Sequence, residues 1–115
     1  MSLDDRARIR SVIWVQAQQR LCDGAAIPFV VARRGDPDAG AILIKLDRGA
    51  DGVIVVTRGY APNGTRAWVR ATGAQPVPDA EAEIYLQRQI KMDPDLWVIV
   101  IEDRSGVYQP DGQAV

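Results

Sequence analysis

A turn that carries arginine and glycine is the first place where this sequence could do chemistry. Arg33, Arg34, Gly35 and Asp36 precede Gly40, in a stretch dense in turn-forming residues. Two guanidinium groups beside a glycine-rich backbone could cradle a phosphate or a carboxylate. The simpler interpretation is a turn with solvated arginines, because consecutive strand residues point to opposite faces and would not form a clamp. We favour the turn and keep the small-anion site as a hypothesis.

A second candidate is a row of cationic and aromatic side chains. Arg66, Trp68 and Arg70 are two residues apart, so in a strand they share one face. Such a row could stack nucleic acid bases or bind a protein partner. It could equally be a cation–π ladder without further function, and this interpretation is favoured.

Carboxylates and amines are present, but in no catalytic pattern. Asp93 and Asp95 flank a proline and could hold a hard cation, yet two carboxylates are too few for a calcium site. A helix-to-strand connection explains them better. The catalytic alternative is a small enzyme acting on an anionic substrate. Its substrate-binding groups would be Arg33, Arg34 or Lys45, and its acid/base group Asp36 or Asp95.

The residue counts exclude several mechanisms. The chain has no histidine, which removes Ser-His-Asp and Cys-His catalysis and histidine-ligated metals. Cys22 is the only cysteine, so no disulfide forms within the chain, and no base is at hand to activate its thiol. We interpret Cys22 as a packing residue and predict no catalytic residue, no bound metal and no cofactor.

Charge and length indicate one small cytoplasmic domain spanning residues 1–115. The net charge is −1, whereas nucleic acid binders usually carry a basic excess, so nucleic acid is not the expected partner. The first residues lack an apolar signal core, and no apolar run approaches the ~20 residues of a membrane span. A lone cysteine fits a reducing compartment.

Turn formers and apolar periodicity divide the chain into two helices and five strands. Helix 1 is expected over residues 3–23, capped by Ser2 and Asp5, with a buried stripe at helical spacing. The members of that stripe are Ile13, Trp14, Ala17 and Leu21. Strands are expected at 29–34, 41–46, 53–58, 65–72 and 96–103, helix 2 at 79–92, and a loosely held tail at 104–115.

The order helix, four strands, helix, strand predicts an α+β fold with an antiparallel sheet of about five strands. Four strands joined by short turns favour a meander, with both helices on one face of the sheet. The last strand is apolar at every position from Trp97 to Ile101, so both of its faces need cover. We therefore expect a homodimer that covers the exposed sheet surface or the unpaired edge of a strand; the alternative is a curled sheet covered by the tail from Val107 onward.

Two stretches also resemble a known family. They are Arg33-Arg34-Gly35-Asp36 with Ala39-Gly40-Ala41, and Asp93-Pro94-Asp95-Leu96-Trp97-Val98 with Glu102-Asp103. Together with Trp14-Val15 and Arg20, they are similar to the short bacterial proteins called domain of unknown function 1491. The resemblance covers nearly the whole chain and implies no activity and no site residue. The sequence thus predicts a non-catalytic binding module that associates with itself.

Overall fold

The computed structural model describes residues 9–110, and the expected order of elements is confirmed. The proposed cap by Ser2 and Asp5 lies outside these residues. The helices are α1 (Ser11–Gly24) and α2 (Asp79–Met92), and a short 3₁₀ turn spans Gly49–Asp51. The strands are β1 (Phe29–Arg33), β2 (Ile42–Asp47), β3 (Val53–Tyr60), β4 (Arg66–Arg70) and β5 (Trp97–Glu102). No helix among the described residues is both long and apolar enough to cross a membrane.

The five strands form one mixed sheet in the order β1-β5-β2-β3-β4. The antiparallel meander was therefore wrong in one respect: β5 is inserted between β1 and β2. It pairs antiparallel with β1 and parallel with β2. The physical reason is the composition of β5, since a strand that is apolar on both faces is best buried in the sheet interior.

The two helices cover opposite faces of the sheet, not one face as expected. On the first face, which we call the α1 face, Ile44 and Ile99 pack with Trp14 and Val15 of α1. On the second, the α2 face, Leu43 and Val98 pack with other residues, among them Ala82 and Leu86 of α2. Both faces of β5 are thus covered within one chain.

Helix α1 buries a different side from the predicted stripe. Trp14 is buried as expected, but Ile13 and Leu21 are 45% and 64% exposed. Two polar residues, Ser11 and Gln18, are buried in their place. The Ser11 hydroxyl donates to the Gly40 carbonyl at 2.6 Å, and Gln18 Oε1 accepts a hydrogen bond from the Tyr108 hydroxyl at 2.8 Å. These partners remove the cost of burying polar groups.

The segment after β5 returns to the α1 face. We expected a loosely held tail over residues 104–115; its described part, residues 104–110, is anchored by Tyr108, which is 8% exposed. The buried carboxylate of Asp103 accepts hydrogen bonds from the amides of Val107 and Tyr108 at 3.1 and 2.8 Å. This return adds an aromatic ring to the core beside α1.

Helix α2 is attached to the sheet by a buried lysine. Lys45 lies on the α2 face of β2, and its ammonium group contacts Asp79 Oδ1 at 2.6 Å and Glu83 Oε1 at 2.5 Å. Its side chain is 8% exposed, whereas the two carboxylates remain largely in solvent. Burial alone would lower the pKa of Lys45, but the hydrogen bonds to Asp79 and Glu83 outweigh burial and raise its pKa.

This arrangement predicts that removing the two carboxylates destabilises the protein more than removing the lysine does. Replacing Asp79 and Glu83 with alanine leaves a buried ammonium without its acceptors and should lower the free energy of unfolding by about 2–3 kcal/mol. Lys45→Met frees two exposed carboxylates, which hydrate readily, and should cost less than about 1.5 kcal/mol. Urea unfolding at pH 7 compares the two variants, and a larger loss for Lys45→Met would contradict the prediction.

The same ion pairs predict a dependence on pH. The pKa of Lys45 is raised on folding, so its contribution is fully present below the ordinary lysine pKa of about 10.4. It is lost as the pH rises through the raised folded value. The difference in stability between the wild type and the double alanine variant should therefore shrink in strongly alkaline buffer. A difference that stays constant to the highest pH at which both fold would contradict this account.

Candidate functional site

The two stretches that resemble the family interlock in three dimensions. The Asp36 amide donates to the Asp95 carbonyl at 3.0 Å, and the Trp97 indole N–H donates to the Asp36 carbonyl at 2.7 Å. A Cβ placed on Gly35 would lie 2.2 Å from the Asp95 carbonyl oxygen, and one on Gly40 would lie 2.5 Å from it. Only glycine lets these two backbones approach so closely.

The arginines of this loop contact the same segment. Arg33 donates from its terminal nitrogen to the Pro94 carbonyl at 2.9 Å. Arg34 lies over the Trp97 ring, with 5.2 Å between the guanidinium carbon and the ring centroid. Each arginine therefore contacts the segment at the start of β5. Such a contact does not prevent the guanidinium group from binding an anion as well.

The backbone of the loop is occupied by internal hydrogen bonds. Asp36 Oδ2 accepts from the amides of Asp38 and Ala39 at 3.2 and 2.8 Å, and the Gly40 amide donates to the Asp36 carbonyl at 3.2 Å. These donors therefore face acceptors of the protein itself. The anion site stays a prediction, and it now depends on the two guanidinium groups instead of a backbone nest.

Lys45 lies apart from the other residues of the enzymatic alternative, which belong to the two interlocked stretches. Lys45 lies on the α2 face, where it binds Asp79 and Glu83, whereas Arg34 stacks on Trp97, a residue of the α1 face. Asp95 donates its amide to the carboxylate of Asp93 at 3.1 Å, a local turn at the end of α2. Within residues 9–110, no three potential ligands of the His, Cys, Asp or Glu type cluster as a metal ion would require.

The row on β4 shares one face, as its spacing predicts. The register pairs Arg58 with Trp68 and Tyr60 with Arg66. Trp68 is only 2% exposed, because Trp14 covers it at 5.1 Å between ring centroids and Arg58 stacks on it at 5.1 Å. The aromatic member of the row is thus a core residue, and the two arginines on either side of it form the surface.

Cys22 occupies the core, as interpreted from the sequence. It is 1% exposed, and burial raises the pKa of its thiol, with further contributions from the charges of Asp103 and Asp23. A thiol held in its protonated form is a poor nucleophile.

A feature that the sequence did not indicate is the open edge formed by β1. Val30 is 56% exposed and Val31 is 38% exposed, although both lie in a regular strand. Glu102 donates its amide to the Pro28 carbonyl at 3.1 Å. Since an antiparallel ladder alternates, the main-chain groups of Phe29 and Val31 then point away from β5. The strand order reveals this edge, because β5 is the one strand that pairs with β1 in the sheet.

The contact between the two family stretches predicts the effect of a single methyl group. Gly35→Ala forces the loop away from the Asp95 backbone and should lower the free energy of unfolding by more than about 2 kcal/mol. Urea unfolding gives the value. The matched control is Gly24→Ala, since a Cβ on Gly24 meets no atom within 4 Å. That change should be neutral or stabilise by up to about 1 kcal/mol; equal losses in the two variants would refute the steric account.

Solved structures with a similar fold include two of DUF1491 family proteins. The crystal structure of a DUF1491 family protein from Caulobacter crescentus CB15 superposes with a TM-score of 0.79 at 29% identity, over 94% of this chain and 100% of that one. The NMR structure of a DUF1491 family protein from the same organism gives 0.77 at 30% identity, over 93% and 96%. Protein Atu0922 from A. tumefaciens gives 0.69 at 23% identity, over 84% and 86%, and shows the fold alone.

No curated protein matches this chain. Residues 9–109 match the family described as protein of unknown function (DUF1491), a range that includes both interlocked stretches. The resemblance seen in the sequence is therefore confirmed, and the chain belongs to the DUF1491 family.

Proposed function

We propose that this protein is a non-catalytic interaction module of the bacterial cytoplasm that forms a homodimer through the edge of β1. The observation that carries this proposal is the exposure of Val30 and Val31 on an edge strand. The buried, unpaired thiol of Cys22 supports a reducing compartment.

The reason for a dimer differs from the one that the sequence suggested. The last strand required cover on both faces, and the two helices supply it within one chain. Within residues 9–110, β1 is an edge strand, and the main-chain groups of its Phe29 and Val31 point outward. A second copy related by a two-fold axis can satisfy them by antiparallel pairing, which would continue the sheet across the dimer.

The composition of β1 favours such pairing. Edge strands are usually protected by charged side chains or proline within the strand. Between Phe29 and Ala32 β1 has neither, and its first charged residue, Arg33, follows an irregularity in the register with β5. Val30 and Val31 lie on opposite faces of the sheet, so pairing would remove apolar surface from water on both sides.

Sedimentation at micromolar concentration tests the dimer. The wild type should sediment at twice the chain mass of 12.6 kDa. Val30→Lys combined with Val31→Lys places charges on the edge and should give a folded monomer, because both side chains are exposed in the single chain.

The control replaces an exposed valine elsewhere. Val107 is 68% exposed in the segment after β5, so the Val107→Lys variant should still sediment as a dimer. A wild type that sediments as a monomer, or a double lysine variant that remains a dimer, would contradict the proposal.

A further inference from the structure

The cover that α2 gives to its face of the sheet ends before β1 is reached. A helix is about 10–12 Å across and strands lie about 4.8 Å apart, so one helix covers roughly two strands. The apolar cluster beneath α2 draws on β2, β3 and the first half of β5. Among the described residues, it includes none from β1. The outer part of the α2 face, over the end of β5 and over β1, therefore has room for a second helix.

Two valines form the floor of this outer part. Val30 of β1 lies opposite Val100 of β5, and Val100 lies opposite Lys45 of β2. Directly opposed residues of neighbouring strands point to the same face, so both valines lie on the α2 face with Lys45. Val30 is 56% exposed, and Val100 is the one residue between Trp97 and Ile101 that is not fully buried. Apolar surface is thus left in contact with water beside α2.

One flank of α2 forms a wall beside these valines. Glu83, Gln87 and Lys91 are four residues apart and share that flank, and Glu83 faces the sheet through its contact with Lys45 at 2.5 Å. A shallow depression along the flank includes Ile84, which is 55% exposed. We call the floor of Val30 and Val100 with this wall the valine groove. A helix about 8–10 Å from the axis of α2 would contact floor and wall together.

The two ends of the valine groove carry opposite charges. Glu102, the last residue of β5, is exposed two positions after the floor, and Glu83 lies at the same end in the first half of α2. Lys91 lies about two turns further along α2. Arg33, which the register also places on the α2 face, donates to the Pro94 carbonyl just before β5. Carboxylates therefore mark the end of the groove where β5 finishes, and cations mark the end where it begins.

We propose that the valine groove binds an amphipathic helix of another protein. The apolar stripe of that helix lies on Val30 and Val100, as in other cases of a helix bound in a groove. Its charges complement the two ends, with a basic side chain facing Glu102 and an acidic side chain facing Lys91. Among the ion pairs of the described residues, none involves Lys91 or Glu102. Both side chains therefore remain available to a partner.

The helix dipole sets the direction of the bound helix. The amino end of a helix is partly positive and its carboxyl end partly negative, so the amino end belongs over the glutamates and the carboxyl end over Lys91. Glu83 and Lys91 are eight residues apart on α2, which is about 12 Å. A basic residue about eight positions before an acidic one therefore matches the two ends of the groove.

Binding of a synthetic helix tests the proposal. The probe is a capped, fluorescently labelled peptide of about 18 alanine and glutamine residues with a leucine stripe at helical spacing, one lysine and, about eight positions later, one glutamate. It is titrated at low salt and followed by anisotropy. NMR of the labelled protein should show the largest amide shifts at Val30, Val100 and Gln87. A peptide with serine in place of the leucines should not bind.

Reversal of one charge tests the polarity of the groove. Lys91→Glu should weaken binding by about tenfold, and lysine in place of the peptide glutamate should restore it, because charges across an interface select the partner. The matched control is Arg20→Glu, which makes the same change of charge at an exposed position of α1. That variant should alter the affinity by less than about threefold. NMR spectra establish that each variant is folded.

The variant Val31→Lys separates this site from the dimer. Val31 lies opposite Ile99, on the α1 face, so the change disturbs the edge of β1 and leaves the valine groove intact. Pairing at that edge extends the sheet in its own plane, and the groove is complete within one chain. Val31→Lys should therefore bind the peptide as the wild type does. A wild type that is monomeric and still binds the peptide supports the groove and contradicts the dimer alone.

Three outcomes would overturn the proposal. The first is absence of peptide binding by the wild type. The second is an equal loss of affinity in Lys91→Glu and Arg20→Glu without recovery by the exchanged peptide, which would reduce the effect to net charge. The third is a shift of the Val100 and Gln87 amides with protein concentration in the absence of peptide, which would assign the groove to a second copy of the chain.

Discussion

Burial of both faces of β5 is the constraint on which this fold depends. Every residue from Trp97 to Ile101 is apolar, and an apolar strand exposed on either side would be costly in water. The chain meets this constraint both at the edges of β5 and on its two faces. Strand neighbours β1 and β2 protect the edges of β5, and one helix covers each of its faces.

The position of β5 in turn explains the two stretches that mark the family. A strand inserted between β1 and β2 must begin beneath the loop that joins them, so that loop and the start of β5 share one crowded place. Gly35 and Gly40 leave space for the Asp95 backbone there, and the Trp97 indole donates a hydrogen bond to the Asp36 carbonyl. These contacts give the loop a structural role, because they hold it against the start of β5. Anion binding by Arg33 and Arg34 stays a prediction.

Much of the secondary structure could be predicted because its signals are local. Turn formers and β-branched runs placed all five strands, and proline ended α2 at Met92. Strand order could not be predicted, since the pairing of β2 with β5 depends on residues far apart in sequence. The buried side of α1 was mispredicted for a similar reason: Ser11 and Gln18 are satisfied by Gly40 and Tyr108, which no helical periodicity can reveal.

The candidate sites also combine features that local sequence predicts with features that depend on distant residues. A period of two placed Arg66, Trp68 and Arg70 on one face, but the cover over Trp68 comes from Trp14, more than fifty positions earlier, and could not be read locally. The exposure of the two β1 valines could not be predicted locally either, because it depends on where β5 joins the sheet. An edge is a property of the whole sheet, and its residues acquire meaning only once their neighbours are known.

The parallel pairing of β2 with β5 also has a consequence for biosynthesis. β5 is the last described element to leave the ribosome, yet it occupies an interior position of the sheet. Until it arrives, β1 and β2 lack their shared neighbour, and the loop between them lacks the backbone against which its glycines pack. Non-local pairing of this kind slows folding, because the closure of a long loop precedes the contacts that reward it. During that interval the nascent chain presents two unpaired, apolar strand edges, the surface that holdase chaperones protect.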